Sequence, residues 1–282
     1  MHLQRLNRRK VHHLLPKRQS DAHKGMFGKV LLLCGSVGYT GAAAMAAMGA
    51  LRSGAGLVYL GVPESIYAIE ATKLTEAMVF PLRSENGRLS QRAIPEILKR
   101  VSQMDAVLIG PGLGQSEDTF LVTQAVLTHA QCPVVLDADG INVMAAHKNI
   151  LRERHYPTVL TPHDGEFRRL WQQEETDRIT DTMILAQDTG CILLRKGHRT
   201  LITDGTSCYE NRTGNPGMAT GGSGDVLAGM IVSLLGQGMA PLEAAACAAW
   251  LHGKAGDLCA KKLGMYGMLP SDLLEVLPRL MK

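Results

Sequence analysis

Aromatic side chains are scarce in this 282-residue chain, at 4% of the total, which argues against the stacking platforms that single-stranded nucleic-acid binders use. A strong charge of one sign is missing too. The formal net charge is +4, and much of it sits in Arg5, Arg8, Arg9, Lys10, Lys17, Arg18 and Lys24. The remainder is close to neutral and offers no broad basic stripe to a duplex. No apolar run approaches the roughly 20 residues needed to span a bilayer, and the basic start lacks the apolar stretch of a secretory signal. A mitochondrial-type presequence is a rival reading for residues 1–16. The six cysteines are scattered, without close pairs or zinc-finger spacing to histidine, and read as reduced core thiols of a cytoplasmic protein. No linker, repeat or low-complexity segment divides the chain. The expected organisation is therefore a basic N-terminal extension over 1–16 and a single domain over 17–282.

Glycine, by contrast, is plentiful: 30 residues, above the usual share of about 7%, an excess that calls for a backbone explanation. Short β-branched or leucine-rich runs alternate with alanine-rich or amphipathic stretches, the pattern of βαβ units around a mostly parallel sheet. Strands are predicted at Val30–Cys34, Leu57–Val62, Ala106–Ile109, Val134–Asp137, Thr158–Leu160, Ile192–Arg195 and Thr200–Thr203. Helices are predicted at Ala42–Arg52, Ser90–Val101, Ser116–Thr128 and Asp164–Trp171, with a helical finish at Val226–Leu235, Leu242–Lys262 and Ser271–Leu280. The fold class is α/β. Such sheets present ligands to the carboxyl ends of their strands, so residues just after each strand carry most weight.

The strongest motif is Gly217-Met218-Ala219-Thr220-Gly221-Gly222-Ser223-Gly224-Asp225, which runs directly into an apolar helix. Glycines let backbone N–H groups approach an anion, and the helix start adds the positive end of its dipole, so phosphate is the expected guest. The same dipole should keep Asp225 ionised at neutral pH and ready to accept a proton. The bland alternative is a tight turn with a capping aspartate. Gly35-Ser36-Val37-Gly38-Tyr39-Thr40-Gly41-Ala42-Ala43 has neither the spacing nor the downstream acid of a dinucleotide fingerprint; its small residues suit either a ligand or close helix packing. Gly110-Pro111-Gly112-Leu113-Gly114 marks another strand end. Asp137 and Asp139 would lie on opposite faces of a continuing strand unless the chain turns, so no metal site is assigned to them. Lys196-Gly197-His198-Arg199-Thr200 has the form of a tight crossover, where Lys196 and Arg199 reach an anion or merely make a solvated basic turn. His163 and His252 each fit structural roles, the latter sharing a helix face with Gly256.

Taken together in order, these segments resemble the ribokinase-like NAD(P)H-hydrate dehydratases, from about Pro16 to Leu280. The resemblance is carried by His23-Lys24-Gly25, Gly41-Ala42-Ala43, Leu51 to Gly56, Gly110 to Gly114, Leu136-Asp137-Ala138-Asp139, Pro162-His163 with Gly165-Glu166, Lys196-Gly197, Gly217 to Asp225 and His252 to Asp257. It implies a three-layer αβα sandwich and ADP-dependent dehydration of hydrated NADH and NADPH, releasing AMP and phosphate through a phosphorylated hydroxyl. By position it implies Asp225 as catalytic base and substrate contact, with Ala43, Gly114 and His163 also on the substrate. Lys196, Gly197, His198, Arg199, Thr200, Gly221, Gly222, Ser223 and Gly224 would hold the nucleotide, with Mg2+ carried by the phosphates. It further implies a cytoplasmic homotetramer. Asp164 departs from the proline common in the family, Ser223 from threonine, and Pro270 from a small residue. Only about two dozen residues precede the first predicted strand, so epimerase activity is not expected. Two alternatives stay open: a kinase of the same fold acting on a vitamin precursor or sugar, and a nucleotide sensor without turnover.

Overall fold

A computed structural model describes residues 3–282. The first half of the chain runs through β1 (Leu3–Arg5), α1 (Arg8–Leu14), β2 (Lys29–Leu33), α2 (Thr40–Arg52), β3 (Leu57–Pro63), α3 (Tyr67–Lys73), β4 (Met78–Leu82), β5 (Ser84–Glu85), β6 (Arg88–Leu89), α4 (Ile94–Val101), β7 (Ala106–Ile109) and α5 (Glu117–His129). It continues with β8 (Val134–Leu136), α6 (Asp139–Met144), α7 (Lys148–Arg152), β9 (Thr158–Leu160), α8 (Asp164–Trp171), α9 (Arg178–Thr189), β10 (Ile192–Arg195), β11 (Thr200–Thr203) and β12 (Cys208–Asn211). Three helices close it: α10 (Ser223–Gly236), α11 (Pro241–Leu263) and α12 (Pro270–Leu280).

Ten strands form one sheet in the order β1-β12-β11-β10-β9-β8-β7-β2-β3-β4. From β4 through β10 every pairing is parallel, whereas β11 runs antiparallel to both β10 and β12. The connection at Lys196 to Arg199 is thus a hairpin, not the crossover expected from its brevity, because four residues cannot return a chain to a parallel register. Residues 3–5 pair in parallel with β12, and Val11 is fully buried, so described residues of the basic N-terminal segment pack with the body.

Pleating divides the core into two faces. Val30 and Leu32 of β2 join one apolar cluster, built with α2, α10, α11 and α12; Leu31 and Leu33 join the other, built with α4, α5, α6 and α8. Helices on both faces make the three-layer αβα sandwich. All six cysteines are buried free thiols.

Much of the glycine excess is spent on close approach of backbones. A Cβ on Gly49 of α2 would stand 2.5 Å from the Val226 carbonyl oxygen, and one on Gly229 of α10 would stand 2.1 Å from that of Ala46. The small-residue helix after Gly41 therefore serves helix–helix contact, and it sets α10 over β2, β7 and β8.

Candidate active site

The strand order reverses at β2, whose neighbours are β3 on one side and β7 on the other. Open α/β sheets leave a crevice at such a switch point. Here its rim is stitched together: the Gly35 N–H donates to the Pro111 carbonyl at 2.8 Å, and Ser36 Oγ donates to that of Gly112 at 2.7 Å. The strand ends of β8, β9 and β10 continue the rim with Asp137, Thr161 and Lys196.

Over this rim stands the start of α10. Gly222 adopts φ +95° and ends the preceding turn, and no side chain caps the helix, so N–H groups of its first turn are left for a ligand. Gly221 is exposed, Gly222 and Gly224 are half-buried, and Ser223 is buried with its Oγ 3.4 Å from His252 Nε2. Burial pulls the His252 pKa down to about 4, leaving a neutral ring behind the loop.

The charged centre lies between the loop and the strand ends. Lys196 Nζ donates to Asp137 Oδ1 at 2.8 Å and stands 3.9 Å from Glu166 Oε2; Thr161 Oγ1 donates to the same Asp137 oxygen at 2.7 Å. A Cβ on Gly224 would be 3.5 Å from Lys196 Nζ, so the β10–β11 turn and the glycine loop meet at this ammonium. Burial alone would lower the Lys196 pKa, but Asp137 and Glu166 outweigh it and raise it. Lys196 is therefore a paired, half-buried cation, not part of a solvated turn.

Asp225 departs from expectation. Burial, then Asp137 and, less strongly, Asp139 push its pKa up to about 7 against the opposing pull of Lys196. The helix dipole does not keep it fully ionised at neutrality. The carboxylates reach it because β8 stops at Leu136 and the chain turns at Ala138, with φ +47°, before α6 begins at Asp139.

The other sequence-derived positions are distributed unevenly. Gly114, at φ +78°, donates its N–H to Asp139 Oδ2 at 2.8 Å on the crevice rim. His163 caps α8: its Nδ1 accepts from the Gly165 and Glu166 amides at 2.9 and 3.2 Å, while its side chain stays 56% exposed. Ala43 has no exposed surface, because it packs beneath Gly35; the outward surface at that helix start belongs to Gly41 and Ala42. Gly197, His198 and Arg199 are exposed and Thr200 is half-buried. Sequence reasoning assigned no role to Asp137 or Glu166, although both follow strand ends. Among the described residues no group of three or more His, Cys, Asp or Glu is arranged to hold a metal ion.

The NAD(P)H-hydrate dehydratase family profile matches residues 30–279. A curated ADP-dependent (S)-NAD(P)H-hydrate dehydratase from Listeria monocytogenes is 37% identical over 95% of this chain and 92% of its own length. The chain belongs to the NAD(P)H-hydrate dehydratase family. A bifunctional NAD(P)H-hydrate repair enzyme from Moorella thermoacetica is 44% identical over 95% of this chain but 52% of its own length, so the chain spans about half of such relatives. Among solved structures of the dehydratase family, the Bacillus subtilis ADP/ATP-dependent enzyme, co-crystallised with ATP/Mg2+, superposes with TM-score 0.83 at 32% identity, covering 97% of this chain and 96% of that one. The dehydratase fold is ribokinase-like, as the sequence motifs imply.

Proposed function

We propose that this chain restores hydrated NADH and NADPH, using ADP to phosphorylate the ring hydroxyl and releasing AMP and phosphate as the double bond re-forms. The observation that carries the reading is the meeting of Lys196, Gly224 and Asp225 over the carboxyl ends of β8 to β10, on the rim that continues from the switch point, where a phosphoryl donor and a hydroxyl acceptor can lie side by side. The names of the Listeria and Bacillus relatives supply the substrate and the nucleotide.

In this reading the amides of Gly221, Gly222 and Gly224, at the entry to α10, face the transferring phosphoryl group, and Lys196 offsets its charge. Asp225 takes the hydroxyl proton as the substrate oxygen bonds to the β-phosphorus and AMP leaves with the bridging oxygen. With a pKa of about 7, it can hold or release that proton near neutral pH. Phosphate then departs with the C–O electron pair, a proton is lost from the adjacent carbon, and the ring double bond returns. Lys196 to Thr200 hold the nucleotide, Gly114 and His163 flank the dinucleotide, and Ala43 supports that surface from beneath. The site's donor set suits Mg2+ held by the phosphates and water rather than by a protein cage; bound there, it would neutralise phosphate charge. A cytoplasmic homotetramer belongs to the same reading, and sedimentation of the purified chain tests the assembly.

The test is incubation with chemically hydrated NADH and either ADP or ATP. Recovery of dihydronicotinamide absorbance with stoichiometric AMP and phosphate is expected with ADP. A stable phosphorylated product, or transfer to a small alcohol instead, would sink the dehydratase reading in favour of a kinase.

A further inference from the structure

The four residues between β10 and β11 owe their shape to a side chain from another element. Arg178, the first residue of α9, points its guanidinium into the turn. Nη1 donates to the carbonyls of His198 and Arg199 at 3.3 and 3.0 Å, and Nη2 to those of Lys196 and Arg195 at 3.2 and 3.5 Å. Gly197 admits this approach: it sits at φ +143°, and a Cβ there would be 3.0 Å from Nη2.

A trans peptide points its N–H opposite to its C=O. Carbonyls gathered on Arg178 therefore turn the following amides away from it. The first plane obeys the rule, since the Arg195 carbonyl faces Arg178 while the Lys196 N–H donates to the Pro162 carbonyl at 2.8 Å. The planes after Lys196 and His198 likewise turn the amides of Gly197 and Arg199, both exposed residues, away from Arg178. Successive amides so turned make an anion-facing concavity.

Arg178 is itself fixed. Asp177 caps α9 by accepting from the Ile179 and Thr180 amides at 3.1 and 2.8 Å, and Asp181 Oδ2 accepts from those of Thr176 and Asp177 at 2.7 and 3.1 Å. Asp164 Oδ1 lies 3.8 Å from Arg178 Nε and accepts from Arg195 Nε at 2.8 Å. Asp164 is the departure from proline noted in the sequence, and it adjoins His163. One carboxylate thus ties the substrate-side cap of α8 to both arginines that flank the turn.

We infer that Arg178 is a positioning residue for the adenine nucleotide: it holds the 196–199 turn with its amides presented to phosphate, and Asp164 orients it from the substrate side. The inference rests on the reading of Lys196 to Thr200 as the nucleotide loop. It separates from a general structural role because it acts on one of two ligands.

The experiment uses the full chain with Arg178→Met and Arg178→Lys, measuring ADP binding by calorimetry and KM for ADP and for hydrated NADH separately. Loss of hydrogen bonds to charge predicts ADP affinity about tenfold weaker in Arg178→Met, with kcat and the hydrate KM within about twofold. Lysine keeps the charge without the fork, so Arg178→Lys should weaken ADP binding about threefold and decides the matter if the methionine variant does not fold. Unchanged ADP affinity in a folded variant, or equal rises in both KM values with a fall in kcat, would overturn the inference. If the unaltered chain binds no ADP, the nucleotide reading itself fails, and this outcome is distinct because no variant is needed to see it.

Discussion

Lys196 and Asp137 are joined by a 2.8 Å ion pair although 59 residues separate them in sequence. The pair fixes an ammonium beside Gly224 and keeps a carboxylate near Asp225, and the two members act on Asp225 in opposite senses: Asp137 raises its pKa and Lys196 lowers it. The charge state of the proposed base is therefore set first by burial and then by a balance between neighbours brought in by two different strands.

That balance has a sign that kinetics can read. With the Asp225 pKa at about 7, kcat/KM should fall as pH drops through neutrality. Asp137→Asn removes a negative neighbour and should move this acid limb to lower pH by about one unit; Lys196→Met removes a positive one and should move it higher by a similar amount. Shifts in the same direction would contradict the assignment of Asp225 as the titrating base.

Asp225→Asn separates chemistry from stability. Turnover should fall by at least about a hundredfold, with ADP binding largely kept. Stability should change the other way. The folded pKa of about 7 lies above the ordinary carboxyl value of 3.8, so between these values the folded state binds more protons than the unfolded one, and wild-type stability declines as pH rises. At pH 8 the asparagine variant should therefore be the more stable by roughly 1–4 kcal/mol, a gap that closes as pH falls toward 4. Denaturant midpoints across that range measure it, and a variant less stable at pH 8 than at pH 4, relative to wild type, would contradict it.

His252 carries the opposite slope. Its folded pKa of about 4 lies below the ordinary imidazole value of 6.5, so in that interval the unfolded state binds more protons and stability falls as pH drops. His252→Gln should flatten the acid side of the stability profile below pH 6.5, whatever it costs in packing at neutral pH. An unaltered slope would mean that the ring is protonated in the fold.

Periodicity and turn chemistry located Ala106–Ile109, Thr158–Leu160, Ile192–Arg195, Thr200–Thr203 and Asp164–Trp171 to the residue, because apolar strands end sharply at glycine, proline or charge. What escaped has specific causes. In α9, Ile179, Thr180, Thr182 and Ile184 are β-branched and hide a helix that only its ends, the Asp177 cap and Gly190, announce. β4 contains Pro81, which argues against a strand and is tolerated because β4 is a sheet edge. β12 is Cys-Tyr-Glu-Asn, too polar to read as buried, yet Asn211 is buried because its side-chain amide donates to the Ala249 carbonyl at 3.0 Å. At the site, the glycine loop and Asp225 were visible as local motifs. The pKa of Asp225 was not, since it depends on Asp137, Asp139 and Lys196 from other strand ends, and neither was the burial of Ala43 beneath Gly35.

The contact between α2 and α10 offers a test of how the loop is held. In an exposed helix, Gly→Ala stabilises by about 1 kcal/mol through helix propensity. At Gly229 the added Cβ would lie 2.1 Å from the Ala46 carbonyl oxygen and 3.0 Å from the Ala50 nitrogen, atoms of a neighbouring backbone that cannot rotate away. Relief requires α10 to move off α2, and overpacking of this kind costs about 1–3 kcal/mol, so the clash outweighs the propensity gain. Gly229→Ala should lower the denaturant midpoint and, because α10 carries Asp225 one helical turn away, also reduce turnover. Gly238→Ala is the matched control in a different sense: nothing lies within 4 Å of its Cβ, and its φ of +85° alone should cost stability by about 1 kcal/mol without touching activity. A Gly229→Ala protein as stable and active as wild type would mean that the two helices are not held in backbone contact.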